Sequence, residues 1–186
     1  MTSRYLVLSG PNLHRLGRRE PSIYGSQTLA EIHAELAAYA ASRGAAVDCR
    51  QSNHEGELVE WIGAAGDDGF LGIVLNPGAY THTSYALYDA IRACDVPVVE
   101  VHLSNPDARE PLRRKSCVAP ACLGRVAGFG AHSYRLGLEA LLRSDRRLGS
   151  RYRRLYRELT YTALRFLSWL EPGFGPESDS FRALVW

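Results

Sequence analysis

Lys115 is the only lysine in the chain, so 21 of its 22 Lys and Arg residues are arginines. Chemistry that needs a Schiff-base amine has one candidate nucleophile, so amine catalysis is nearly excluded. Cysteine is scarce too: Cys49, Cys94, Cys117 and Cys122 lie far apart, contain no CxxC pair and suggest no disulfide framework. Neither a secretory leader nor an apolar run of spanning length is visible. The chain is therefore read as cytoplasmic, with reduced thiols and no membrane partner. No GxGxxG or GxxxxGK[ST] follows the first strand, which leaves dinucleotides and nucleoside triphosphates without motif support. A flavin stays topologically possible but has no positive signal. Internal repeats and low-complexity tracts are absent as well.

What is present suits one ordinary globular domain: 186 residues, 46% hydrophobic, with a formal charge of +2. At this length a chain hides roughly 70% of its unfolded surface, enough for a core without disulfides or a structural metal. Charge is unevenly spread. Residues 143–165 hold eight arginines against Asp145 and Glu158, alternating with Tyr152, Leu155, Tyr156, Leu159 and Leu164 at helical spacing. Such a run can bind nucleic acid, but its amphipathic spacing favours a helix that packs on protein, so no nucleic-acid partner is expected.

Along the first 142 residues, short apolar runs alternate with helical periodicity. Tyr5 to Leu8 reads as a buried strand closed by Ser9-Gly10-Pro11. Thr28 reads as an N-cap, with Glu31 three residues on, for a helix whose inner face is Leu29, Ile32, Leu36, Tyr39 and Ala40 and which ends at Gly44. There follow a strand at 46–50, a helix at 55–65 with Leu58, Val59 and Ile62 inward, a strand at 72–75, a helix at 84–93, a strand at 96–101, a short strand at 126–128 and a helix at 133–142. Strands apolar on both faces and separated by single helices imply right-handed parallel βαβ units, hence an α/β doubly wound sheet with helices on both faces. Ligands of such sheets sit beyond the carboxyl ends of the strands, which directs attention to the segments after Leu8, Leu75 and Val101.

Each of these segments carries polar groups with two readings. After the first strand, Gly10-Pro11-Asn12-Leu13 leads through Arg15, Arg18, Arg19 and Glu20 to Tyr24-Gly25. Residue by residue this is a turn and a solvated loop. Taken together it is an unusually long, glycine-flanked loop of the kind that forms lids. Cations beside Tyr24 would favour its phenolate, a competent general base. After the third strand, Asn76 to Ser84 is either a helix start with Ser84 as N-cap beside a surface His82, or a site for an oxygen-rich anionic ligand. After the fourth, strand alternation puts Glu100 and His102 on one side, so the carboxylate can orient the imidazole for acid–base work. Arg109, Arg113 and Arg114 follow in reach of a substrate carboxylate or hydroxyls.

These stretches resemble the type II 3-dehydroquinate dehydratases. The resemblance rests on Gly10 to Leu13, Gly17 to Gly25, Asn76 to Ser84, Glu100 to Asn105, Ala108-Arg109-Glu110, Gly128-Phe129-Gly130 and Ser133-Tyr134, in order from about residue 4 to 142. It implies a flavodoxin-like five-stranded parallel sheet in a domain of residues 1–145. It also implies that Tyr24 removes the proton alpha to the ketone of 3-dehydroquinate, that Asn12 helps stabilise the enolate through a water, and that His102, oriented by Glu100, protonates the departing hydroxyl. Arg19 on the lid and Arg109 would favour the tyrosinate. Asn76, the Leu103 and Ser104 amides and the Ser104 hydroxyl would take the substrate carboxylate, and His82 and Arg113 the ring hydroxyls. Asp89 would reach a neighbouring subunit's site in a dodecamer of trimers. No metal, flavin or other cofactor is implied.

The chain departs from the family pattern at His14-Arg15, where lid contacts should change, and in residues 146–186, which the usual member lacks. That segment, with Phe166, Trp169, Phe181 and Trp186, is expected to be a helical extension packing on its own or a neighbouring subunit. Two other functions stay open: the same chemistry on an amino or other analogue, and a catalytically silent assembly protein.

Overall fold

The computed structural model describes residues 2–18 and 26–144 of the chain. Five strands, β1 (Ser3–Ser9), β2 (Ala45–Gln51), β3 (Ile73–Asn76), β4 (Val98–His102) and β5 (Gly124–Ala127), form one all-parallel sheet in the order 2-1-3-4-5. Among the described residues the helices are α1 (Leu29–Ser42), α2 (Glu55–Ala64), α3 (Tyr85–Ala93), the one-turn α4 (Pro111–Arg114) and α5 (His132–Ser144). Strand order reverses between β1 and β3, the point at which doubly wound sheets leave a crevice for ligands.

The expected elements form, with shifted ends. β1, β3 and β4 are mostly apolar and largely buried on both faces, with Glu100 and His102 the ionisable exceptions in β4, whereas β2 and β5, at the two edges, are half-exposed along most of their length. β5 begins at Gly124 and stops before Gly128, whose φ of 92° no extended strand can continue. Val96 and Pro97 precede β4 rather than belonging to it. Four 3-10 turns among the described residues, and α4, are too short to leave a periodic signal.

Side chains alternate strictly across the sheet. Leu6 and Leu8 of β1, with Ile73 and Leu75 of β3, face Leu58 and Ile62 of α2 and Leu87 and Ile91 of α3 in one continuous core. Ser9 points to the other face, where its hydroxyl lies 2.9 Å from Tyr134 of α5 and 3.4 Å from His33 of α1. On that face α5 comes closest at Gly137, where an added Cβ would sit 2.6 Å from Val101 Cγ1. Both expected caps form. Thr28 Oγ1 accepts from the Glu31 amide and the Glu31 carboxylate accepts from the Thr28 amide at 2.8 Å, a closed capping box. Ser84 Oγ accepts from the Leu87 amide at 2.8 Å. Caps of this kind contribute about 1 kcal/mol each, and here they fix the start of each crossover helix next to the sheet's carboxyl edge.

Candidate active site

At that edge a cavity of about 130 Å³ is lined by residues from three strand ends. Asn12 follows β1, Asn76 ends β3 and is followed by His82, and His102, Leu103, Ser104, Arg109 and Arg113 follow one another from the end of β4. Eight residues expected from the sequence are thereby brought to one wall-to-wall site. Glu100 lies beneath it as the carboxylate under His102. Asp89 is exposed on α3 and does not line this cavity. Arg114 turns its Nε to the Arg109 carbonyl at 3.0 Å, bracing the loop instead of lining the cavity. Arg19 and Tyr24 lie outside the described residues, as does the extension at 146–186.

The chemistry centres on Glu100 and His102. Glu100 sits in the middle of β4 with no solvent exposure. An isolated buried carboxylate is costly by many kcal/mol, so its partners decide its state. One oxygen accepts from His102 Nε2 at 2.7 Å and from the Thr81 hydroxyl, and the Ser116 hydroxyl lies 3.2 Å from both oxygens. Arg125, register partner of Glu100 on β5, adds a positive charge on the same side of the sheet. Burial alone would push the Glu100 carboxyl up. The hydrogen bonds from His102 and Thr81 and the charges of His102 and Arg125 outweigh it and hold the carboxyl below its ordinary value.

A proton count supports the same state. Ser116 Oγ already accepts from the Val118 and Ala119 amides at 3.2 and 2.8 Å, so its own proton is free to point at Glu100 or Thr81. Glu100 is surrounded by donors, which suits an ionised, acceptor-only carboxylate. An ionised Glu100 requires the proton on His102 Nε2, which leaves Nδ1 as the nitrogen available to a substrate.

Around this pair the cavity is built for an anion. Leu103 and Ser104 line it, and their main-chain N–H groups donate to no partner among the described residues. Asn76 is 2% exposed; its Oδ1 accepts from the Gly78 amide at 3.2 Å, and its side chain also bonds the buried Tyr134 hydroxyl. His82 Nδ1 is fixed 2.8 Å from the Lys115 carbonyl. Within the 76–84 segment Ser84 is a cap, and His82 lines the cavity. Glu110, held down to about pH 2 by its own main-chain amide and by Arg113, binds Arg113 at 2.6 Å and Arg109 at 3.4 Å and aligns both guanidinium groups. Among the described residues no group of three or more His, Cys, Asp or Glu side chains is arranged to hold a metal ion, and no helix is long and apolar enough to cross a membrane.

Sequence reasoning missed the supports of Glu100. Thr81 lay within a segment already under suspicion, but nothing local marked Ser116 and Arg125, which reach Glu100 only through sheet register and a loop. It also passed over Asn53, after β2, because only the ends of β1, β3 and β4 were searched. In the 2-1-3-4-5 order β2 borders β1, so its end belongs to the same rim.

The comparisons with known proteins agree with this geometry. Residues 3–142 match the family model described as dehydroquinase class II. The 3-dehydroquinate dehydratase of Rhizobium johnstonii is 56% identical over 141 residues, covering 76% of this chain and 97% of that protein. The 3-dehydroquinate dehydratase of Thermus thermophilus is 59% identical over 133 residues, covering 72% of this chain and 89% of that protein. Among solved structures, the type II dehydroquinase from Butyrivibrio crossotus superposes with a TM-score of 0.74 at 40% identity, covering 75% of this chain and 97% of that one. With a doubly wound 2-1-3-4-5 sheet, a buried carboxylate–imidazole pair at its carboxyl edge and these relatives, the chain belongs to the class II dehydroquinase family.

Proposed function

We propose that the protein dehydrates 3-dehydroquinate to 3-dehydroshikimate. The observation that carries the reading is the Glu100–His102 pair opening onto a cavity lined by Leu103 and Ser104, whose amides have no partner among the described residues, in a chain of this family. In this reading the amides, the Ser104 hydroxyl and Asn76 hold the substrate carboxylate, while His82 and Arg113 meet the ring hydroxyls. Tyr24, as phenolate favoured by Arg19 and Arg109, takes the proton alpha to the ketone. The C–H pair flows into an enolate stabilised through Asn12. Collapse of the enolate expels the hydroxyl, which takes a proton from His102 and leaves as water. Solvent returns the proton balance, since one proton is lost to Tyr24 and one is supplied by His102. Ionised Glu100 stabilises the imidazolium that donates.

Exposed apolar side chains at Tyr85, Leu112, Leu123 and Phe129 support assembly of subunits, which this reading takes to be a dodecamer of trimers with Asp89 serving a neighbour's site. Residues 146–186 are taken as a docking extension of the 1–145 domain. Free thiols at all four cysteines suit a reducing cytoplasm. The test is direct: purified protein mixed with 3-dehydroquinate should generate the absorbance of a conjugated enone. Its absence under conditions where the protein is folded would refute the assignment.

A further inference from the structure

Asn12 has φ 67° and ψ 0°, and it is the one non-glycine residue with positive φ among the described residues. L-residues enter the left-handed region at a cost, asparagine less than most, and they stay there when neighbours hold them. Asn12 lines the cavity, so its main-chain geometry sets where its carboxamide lies.

The hold comes from the next loop along the sheet edge. The Asn12 amide donates to Asn53 Oδ1 at 2.9 Å, and Gln51 Nε2 donates to the same oxygen at 3.2 Å and to the Gly10 carbonyl at 3.2 Å. Tyr80 Oη donates to the Asn53 carbonyl at 2.7 Å, which ties in the loop after β3. The loops after β1 and β3 already touch, since the Gly10 amide donates to the Asn76 carbonyl at 2.8 Å. Asn53 is therefore the point where the loops after β1, β2 and β3 meet, at the switch in strand order.

We infer that Asn53 is a positioning residue for the dehydration: its side-chain oxygen locks the Asn12 main chain in the left-handed conformation that presents the Asn12 carboxamide to the enolate. The kinetic part rests on the dehydratase reading. Because Asn53 only accepts through Oδ1, a carboxylate can replace its amide and an alanine cannot. Asn53 is solvent-exposed, so truncating it leaves the core intact. Water can satisfy the freed Asn12 amide but does not fix its direction.

The experiment compares wild type, Asn53→Ala and Asn53→Asp by steady-state turnover of 3-dehydroquinate, thermal midpoint and amide hydrogen exchange at Asn12. Asn53→Ala should lose about tenfold in kcat, the worth of one ordered hydrogen bond, with KM within about twofold, an unchanged thermal midpoint and faster exchange at Asn12. Asn53→Asp should restore kcat to within about threefold and keep the amide protected. Wild-type kcat in Asn53→Ala, or equal losses in the two variants, would overturn the inference. Should wild type itself fail to turn over 3-dehydroquinate, the dehydratase reading falls. Exchange at Asn12 then decides the clamp alone: acceleration in Asn53→Ala supports it and unchanged exchange overturns it.

Discussion

Replacing Glu100 by glutamine removes one charge from the most enclosed polar cluster in the site while keeping its shape. Glu100 has no exposure and accepts from His102, Thr81 and Ser116. If the glutamine keeps its oxygen toward His102 and Thr81, its NH2 takes the place of the oxygen whose one hydrogen bond among the described residues comes from Ser116. Ser116 has both lone pairs committed to the Val118 and Ala119 amides and cannot accept from it. One buried donor is therefore left unpaired, at a cost of about 1–3 kcal/mol. The second loss is catalytic. A hydrogen bond between imidazolium and carboxylate contributes about 1.5–3 kcal/mol, and that support is present only when His102 is protonated. Glu100→Gln should therefore lower kcat by about 10- to 100-fold, less than the full 10²–10⁴-fold that general acid catalysis typically supplies, because His102 itself stays in place. KM should stay within a few-fold, because Glu100 does not line the cavity. Stopped assays of dehydration, run beside solvent exchange of the proton alpha to the ketone, separate the steps. Dehydration should fall further than exchange. Turnover within threefold of wild type would show that the carboxylate is dispensable, and an equal fall in exchange would show that it acts on proton removal instead.

Tyr24→Phe should lower turnover by several orders of magnitude with substrate affinity within about tenfold, since losing a base affects the transition state more than ground-state binding; near-normal turnover would put the base elsewhere. Gly10→Ala should both destabilise and slow the enzyme, because the new Cβ would lie 2.5 Å from the Pro77 carbonyl oxygen and push apart the loops bearing Asn12 and Asn76. A shift of about 1–3 kcal/mol by denaturant titration is expected, and an unchanged midpoint would contradict the contact. Burial pushes the Cys49 and Cys122 thiols up to about 12, so native protein at pH 8 should resist alkylation at both positions and mass mapping should find them unmodified. Because the folded values lie above the unfolded value near 9, both thiols stabilise the fold fully below pH 9 and lose that contribution as pH climbs toward 12. A melting temperature flat from pH 8 to 11 would refute this.

The order of strands and helices was legible in the sequence because its signals are local. The Thr28–Glu31 box and the period of Leu29, Ile32, Leu36 and Ala40 lie within a single helix, and the apolar runs of β1, β3 and β4 declare burial on both faces. The Glu100–His102 pair was legible for the same reason, since a two-residue spacing in a strand puts both side chains on one face whatever surrounds them. The sequence by itself also determined where the site must lie, through the rule that parallel sheets bind beyond their carboxyl edge. Tertiary structure alone decided what state that site is in. Thr81 and Ser116 come to Glu100 from separate loops, and Arg125 comes by lateral register on β5, so the balance between burial and compensation at the carboxylate has no local signature. Asn53 meets Asn12 for the same reason. Forty-one positions separate them along the chain, and only the placing of β2 beside β1 brings this acceptor to the Asn12 amide.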